Sequence, residues 1–290
     1  MPNTQALKSR IRSVKSTKQI TKAMQLVAAS KMRRAQEATK ASSPYTDAAI
    51  QLLANLSSHA SVKDHPLFTK RAVKSRLLIV IASDTGLAGA FNSNLTRLYA
   101  QELVADRDKG VKNKTITIGR KAAQFVSRLK DTEVLGSYQD LSDRPDSGAL
   151  HAILDTARTM FTSGEVDAVD IIYTDFLSAV VQKATTLRVL PAGTGTENVA
   201  ATHAMDVVYE PSTHAVLDGV TSRLVGAQLY QALLDSRASE YSMRMMAMKN
   251  ATDNATDLID DLTIEMNKVR QGAITQELAE ISGGVEAMDD

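Results

Sequence analysis

The residues best placed to do chemistry in this 290-residue chain run from Ser83 to Gly89, Ser-Asp-Thr-Gly-Leu-Ala-Gly. They stand between an apolar, strand-like run and a helical pattern, where backbone N–H groups can cradle a phosphate. The stretch lacks the Lys-Ser/Thr of a P-loop, and its glycines are not spaced as a dinucleotide-binding fingerprint requires. A tight strand-to-helix turn is the favoured reading. Gly193-Thr194-Gly195 is a weaker candidate of the same kind. The histidines (His59, His65, His151, His203, His214) are scattered, without metal-ligand spacing. No Ser/His/Asp set or convergent carboxylate pair can be assembled, and Asp260-Asp261 reads as a solvated helix face. Cysteine is absent, which excludes disulfides, thiolate metal sites and thiol redox control. The residues therefore offer no catalytic set, no cofactor site and no metal site.

Helical elements dominate the two ends. From Val220 to Ala273 an apolar heptad repeat runs almost unbroken. One seam reads Val220, Ala227, Leu234, Tyr241, Met248, Ala255, Leu262, Val269. The other reads Leu224, Gln231, Ala238, Met245, Thr252, Ile259, Met266, Ala273. Gln231 and Thr252 are its plainly polar members. A stripe this long needs a long partner, and the other long helical pattern covers residues 4–58. There Asn3 or Thr4 can cap the start, and Leu7, Ile11 and Val14 open a stripe. Ile20, Met24, Val27 and Ala35 continue it after a phase shift, and Pro44 is expected to kink or briefly break the helix. Met243, Met245, Met246 and Met248 go all the way round their helix, so some must face a surface other than the core.

The middle has a different grammar. Arg76–Ser83 is a short continuous apolar run, as in a buried parallel strand. A helix is expected at about 91–108, a strand at 115–118, a helix at about 120–130, a strand at 133–135, a helix at 147–162 and a strand at 168–173. An edge strand of hairpin type is expected at 180–190. Strands alternating with helices predict an open, doubly wound α/β sheet. After a loose return over residues 192–210, Pro211-Ser212-Thr213 starts the last helix, of roughly 105 Å. The expected fold class is thus α/β: a long antiparallel coiled coil of the N- and C-terminal helices plus a central Rossmann-like open sheet. Residues 1–60 form one coiled-coil helix, 61–210 the central domain and 211–290 the second coiled-coil helix.

Charge is lopsided although the net value is only +1. Residues 1–40 carry ten Lys/Arg against Glu37 alone, a net +9, whereas residues 240–290 carry a net −7. Exposed pairs contribute only about 0–1 kcal/mol each, so the apolar seam must hold the rod. Aromatic residues make up 4% and Trp is absent, which fits a helical protein rich in Ala and Met better than an aromatic-lined cavity. The longest apolar run, Leu77–Ala82, is far short of the roughly 20 residues of a membrane helix. The N-terminus has no apolar signal core. Its basic, acid-poor start superficially resembles a transit peptide but runs straight into helix, and is read as mature protein.

These residues carry a resemblance. Leu7-Lys8, Arg10-Ile11, Ser13-Val14-Lys15, Thr17, Ile20 to Met24 and Val27 to Lys31 resemble the opening of the gamma subunits of F-type ATP synthases. Ser239-Glu240, Arg244-Met245, Ala247-Met248, Ala251-Thr252 and Asn254-Ala255 resemble a later signature of that family. So do Asn267, Arg270-Gln271, Ile274-Thr275, Glu277-Leu278 and Glu280-Ile281, and in the middle Ser83-Asp84, Gly86-Leu87, Gly89 and Phe91-Asn92. The resemblance spans the chain in order. Thr85 and Ala88 depart from the Arg and Cys frequent in the family's loop. Gly272 stands where a small side chain is common and permits local bending. Gly283-Gly284 points to a frayed tip.

The resemblance implies a rotor shaft with no catalytic residue, cofactor or metal of its own. The terminal helices would pair inside a hexamer of alternating alpha and beta subunits, and the foot would meet the epsilon subunit and the membrane c-subunit ring. By match, Arg270, Gln271, Thr275 and Glu280 fall in the polar region that engages the hexamer, Met24 and Lys31 near the beta lever segments, and residues 282–290 in the apolar bearing. Without a transit sequence or a cysteine pair, a bacterial protein peripheral to the cytoplasmic face of the cell membrane is expected. Two other classes remain open on the residues alone. The +9 start would suit a nucleic-acid-binding coiled coil, and the Gly86 loop a nucleotide-dependent enzyme.

Overall fold

In a computed structural model that describes residues 4–58, 65–129, 132–141, 147–193 and 213–286, the chain is organised about one strand, β1 (Ser75–Ile81). Its side chains alternate between two buried faces, so the apolar run has no polar side. Leu77, Ile79 and Ile81 enter one core and Leu78 and Val80 the other. β2 (Lys112–Ile118) and β4 (Ala168–Phe176) flank β1 in parallel, with Ile79 opposite both Ile116 and Ile171. β3 (Glu133–Tyr138) adds in parallel beyond β2, and β5 (Gln182–Leu190) returns antiparallel on β4. The strand order is β3-β2-β1-β4-β5. The sheet is thus mixed, with its antiparallel member at the edge where a hairpin strand was expected.

Helices cover both faces, as parallel crossovers demand. α2 (Phe91–Asp108) and α3 (Arg120–Val126) bury Leu95, Tyr99, Ala122 and Val126 on one face. α4 (Ser147–Thr162) and part of α5 (Thr213–Glu286) bury Ile153, Phe161, Leu229 and Leu233 on the other. Each such aliphatic or aromatic side chain, once buried, contributes about 1.5–3 kcal/mol. α3 is shorter than the helix expected at 120–130. β2 begins at Lys112 rather than at residue 115, because its polar Lys112-Asn113-Lys114 start is only partly covered.

α1 (Thr4–Ser58) corrects two expectations. It runs unbroken through Pro44. Pro44 and Lys40 lie on the exposed side, so the carbonyl that loses its partner remains available to water. Nor is there a phase shift. Ile20 and Val27 are 57% and 58% exposed, while their neighbours Thr21 and Ala28 are buried. The stripe Leu7, Val14, Thr21, Ala28, Ala35, Ser42, Ala49 keeps a strict heptad, and the buried Ile11 and Thr46 lie on its second line. Small and polar residues hold seam positions that an apolar pattern cannot reveal. α5 likewise continues through Gly283-Gly284 to Glu286, where a frayed tip was expected.

By contact density the chain forms two units. One comprises residues 1–28 with 244–290, and the other residues 29–243. Within the first, Leu7 and Ile11 pack with Leu262, and Thr21 Oγ1 lies 2.8 Å from Thr252 Oγ1. Ascending α1 therefore meets descending α5, an antiparallel pairing. The second unit holds the sheet and both larger cores. Asn3, His59, Thr194, Gly195, His203, Pro211, Ser212 and residues 287–290 lie outside the described residues, as do the side chains of His214 and Val220.

Candidate subunit-binding surface

The loop that first drew attention is a turn whose polar groups bond to one another. Ser83 N donates to Asn92 Oδ1 at 3.2 Å, and Ser83 Oγ donates to Thr85 O at 2.7 Å. Asp84 Oδ1 accepts from Arg120 N at 3.0 Å and from Asp140 N at 3.1 Å, tying the turns after β1, β2 and β3 together. Gly119 must be glycine there. Its φ is +92°, and a Cβ would stand 2.1 Å from Ala82 O. Phe91 is buried beneath the turn. Ser83, Asp84, Phe91 and Asn92 thus have structural work.

A charge network went unread in the sequence. Arg76 at the start of β1 is buried and pairs with Asp170 of β4, with Glu102 at 2.7 Å and with Asp106 at 2.9 Å. Arg188 of β5 donates to both Asp170 oxygens, at 2.7 and 2.8 Å. Burial opposes the charge on Arg76, but Asp170, Glu102 and Asp106 outweigh it and hold the guanidinium firmly protonated. An Arg opening an apolar run and an Asp inside another were its only signals. The network joins two strands, the edge strand and α2. Among the described residues no group of His, Asp or Glu could hold a metal ion.

What distinguishes the surface is the far end of α5, which none of the described residues covers. In α5, Leu262 is the last buried side chain among the described residues, and every residue from Arg270 to Ser282 is exposed. At about 100° per residue, Arg270, Ile281, Ile274, Leu278, Gln271 and Thr275 occupy one arc of roughly 140°. Three exposed large apolar residues, Ile274, Leu278 and Ile281, therefore share a face with Arg270 and Gln271. Thr275 Oγ1 donates back to Gln271 O at 2.9 Å, and Gln276 Nε2 donates to Glu280 Oε1 at 3.0 Å. Glu280 lies off the arc, about 80° to the other side of Arg270.

Met24 is half-buried in the same unit. Lys31 belongs to the sheet-bearing unit, where its Nζ lies 5.3 Å from the ring centre of Tyr241. The structure thus brings Arg270, Gln271 and Thr275 together on one face of α5 and leaves Glu280 off it, while Met24 and Lys31 lie on α1. Of the methionine cluster, Met248 is buried and Met246 exposed.

Residues 3–288 match the family model described as ATP synthase. Over 289 residues the chain is 40% identical to the ATP synthase gamma chain of Stenotrophomonas maltophilia (strain R551-3), across 99% of this chain and 100% of that one. The chain belongs to the ATP synthase gamma chain family. The gamma chain of Pelotomaculum thermopropionicum is 39% identical over the full length of both. Among solved structures, a chain of the Tetrahymena thermophila mitochondrial ATP synthase central stalk and c-ring is 27% identical. It covers 80% of this chain and 99% of its own, with a TM-score of 0.63. A chain of the Euglena gracilis mitochondrial ATP synthase in rotational state 3 is 19% identical, covering 98% of this chain and 94% of its own. Its TM-score of 0.70 extends the shared fold to nearly the whole length. No described helix of this gamma chain family member is long and apolar enough to cross a membrane.

Proposed function

We propose that the chain is the central rotor shaft of a rotary ATP synthase. Its terminal helices, residues 1–60 and 211–290, pair within a hexamer of alternating alpha and beta subunits. Its central domain, residues 61–210, stands at the foot beside the epsilon subunit and the membrane c-subunit ring. Proton flow turns the ring, the shaft turns with it, and the catalytic beta subunits meet different faces of the shaft in turn. The shaft acts through differential contacts with alternative beta conformations, which is the only way one protein can bias another's equilibrium. It works at the cytoplasmic face of the cell membrane, as a peripheral subunit.

The observation that carries this reading is the uncovered arc of α5. A helix that exposes Ile274, Leu278 and Ile281 beside Arg270 and Gln271 needs a partner surface both apolar and hydrogen-bonding. Arg270, Gln271, Thr275 and Glu280 engage the hexamer, and Met24 and Lys31 face the beta lever segments. The opposed charges of the two chain ends, +9 and −7, serve these shared surfaces more than each other.

The test is hydrolysis and coupling by the complex reassembled with Arg270→Ala or Gln271→Ala. A hydrogen bond to a charged group contributes about 1.5–3 kcal/mol, so each variant should lose roughly tenfold to a hundredfold in turnover. Undiminished hydrolysis and coupling in both would count against the assignment.

A further inference from the structure

The parallel sheet gathers unpaired cations at one end. β1 and β2 begin side by side there, with Lys112 N donating to Lys74 O at 2.9 Å and Lys112 opposite Ser75 in register. α2 and α3 finish at the same end, because a helix between parallel strands runs back to where the next strand starts. The turn after α2 adds Lys109 and the turn after α3 adds Arg128. Lys74, Lys109, Lys112 and Arg128 are all exposed. The acids at this end have other work. Asp106 is buried against Arg76, Asp108 pairs with Arg107, and Glu133 and Glu165 pair with Lys114. Asp167 accepts from Lys74 N and Ser75 N. Among the described residues no carboxylate pairs with any of the four cations. At the other end of the sheet, by contrast, Arg120 pairs with Asp140 at 2.7 Å, and Lys183 stands opposite Asp175 in register.

Local structure explains only part of this. Cations near a helix C-terminus offset its dipole, which accounts for Lys109 and Arg128. Lys74 and Lys112 lead into strands, where no such dipole acts. Exposed, unpaired cations drawn from three stretches of chain suit a surface of negative charge. Tyr45 on α1 is the one large aromatic side chain exposed among the described residues, so this end offers no ring on which bases could stack.

We propose that this basic end of the central domain rests against anionic phospholipid headgroups, held by Lys74, Lys109, Lys112 and Arg128. The inference rests on reading the chain as a shaft that works at a membrane face. Each Lys or Arg brought near such a surface raises partition about fivefold, and salt screens the effect. Headgroup phosphates offer charge without a fixed register, so the contact keeps the domain close to the membrane and leaves it free to turn.

The test is flotation of the reassembled alpha–beta–gamma complex with protein-free vesicles. These are made of phosphatidylcholine alone, or of phosphatidylcholine and phosphatidylglycerol in equal parts. The patch variant combines Lys74→Gln, Lys109→Gln and Lys112→Gln. The control combines Arg97→Gln, Lys121→Gln and Lys183→Gln, which removes the same charge towards the other end of the sheet. The expected result is flotation with the phosphatidylglycerol vesicles only, abolished by high salt. It should fall at least tenfold in the patch variant and less than about twofold in the control. No flotation, equal flotation with both vesicles, or equal losses in the two variants overturns the proposal. So does tighter patch-dependent binding of duplex DNA than of vesicles at matched phosphate, which would assign the patch to nucleic acid. If alpha and beta do not assemble with the unmodified chain, the shaft reading falls on its own, and flotation of the chain alone still decides the patch.

Discussion

Asp235 shows what a single residue can cost a shaft. Only 8% of its surface is exposed, and burial, followed by the nearby Asp175, pushes its carboxyl up to about 6 from an ordinary 3.8. Gln231, the polar residue of the apolar seam, donates to Asp235 Oδ1 at 3.2 Å and holds the rise in check. Gln231 Oε1 has no partner among the described residues. A protonated Asp235 could donate to it after an amide rotation, which is a second reason for the neutral form to be favoured. Because the folded value lies above the unfolded one, the stabilising effect is fully present below about pH 4. It is lost as pH rises through about 6. Asp235→Asn should therefore stabilise the chain by about 1–3 kcal/mol at pH 8 and leave it unchanged near pH 4. Denaturant melts across that range are the check, and an equal effect at both ends would mean that the carboxyl titrates normally. The seam periodicity flagged Gln231 as an exception but could not say that its partner is an acid one turn away, because a heptad pattern records faces and not contacts. Arg76 and Asp170 escaped notice for a related reason. Each is one polar letter in an apolar run, and only the sheet register puts Arg76 on β1 beside Asp170 on β4.

Among the elements, the two long helices were legible by length and position, while the seam of α1 was legible only where Leu7, Ile11, Val14 and Ala35 mark it. Its strict heptad passes through Thr21, Ala28 and Ser42, so a search for apolar letters slides onto Ile20 and Val27, which face outward. The sheet was more legible, since continuous apolar runs bounded by turns mark buried parallel strands. Thr21 carries the consequence. Its hydroxyl and that of Thr252 lie 2.8 Å apart in the buried seam, and Thr252 Oγ1 also donates to Met248 O at 2.8 Å. One chain of bonds runs from Thr21 through Thr252 to the α5 backbone, and a polar pair of this kind fixes register in a coiled coil. Thr21→Val or Thr252→Val alone should cost about 1–2 kcal/mol, whereas the double variant should recover part of that loss. The coupling in a double-mutant cycle should be about 1 kcal/mol, and strictly additive losses would show that the hydroxyls do not act as a pair.

Over the whole molecule, stability is distributed to match the division of labour. The sheet-bearing unit holds two large cores, with Leu77, Leu78, Ile79 and Ile171 fully buried between helices. Among the described residues of the other unit, the only cluster of buried apolar side chains is Leu7, Ile11 and Leu262, and Arg270–Ser282 has none. A helix without tertiary contacts is marginal in water, so its amides open locally at little free-energy cost, while those of the core strands open only with the whole unit. In the free chain, hydrogen exchange over residues 270–282 should be complete orders of magnitude before that of β1 and β4. Assembly with alpha and beta subunits adds a partner that binds only the ordered helix, which must raise protection there by the binding free energy. At least a tenfold slowing over 270–282, with β1 and β4 unchanged, is the expected signature. If these residues exchange in the free chain as slowly as β1, the helix is ordered by its own chain, and the uncovered arc of α5 loses its meaning as a partner surface. If they are fast in both states, the arc is not what the hexamer holds, and the grip must lie elsewhere on the shaft.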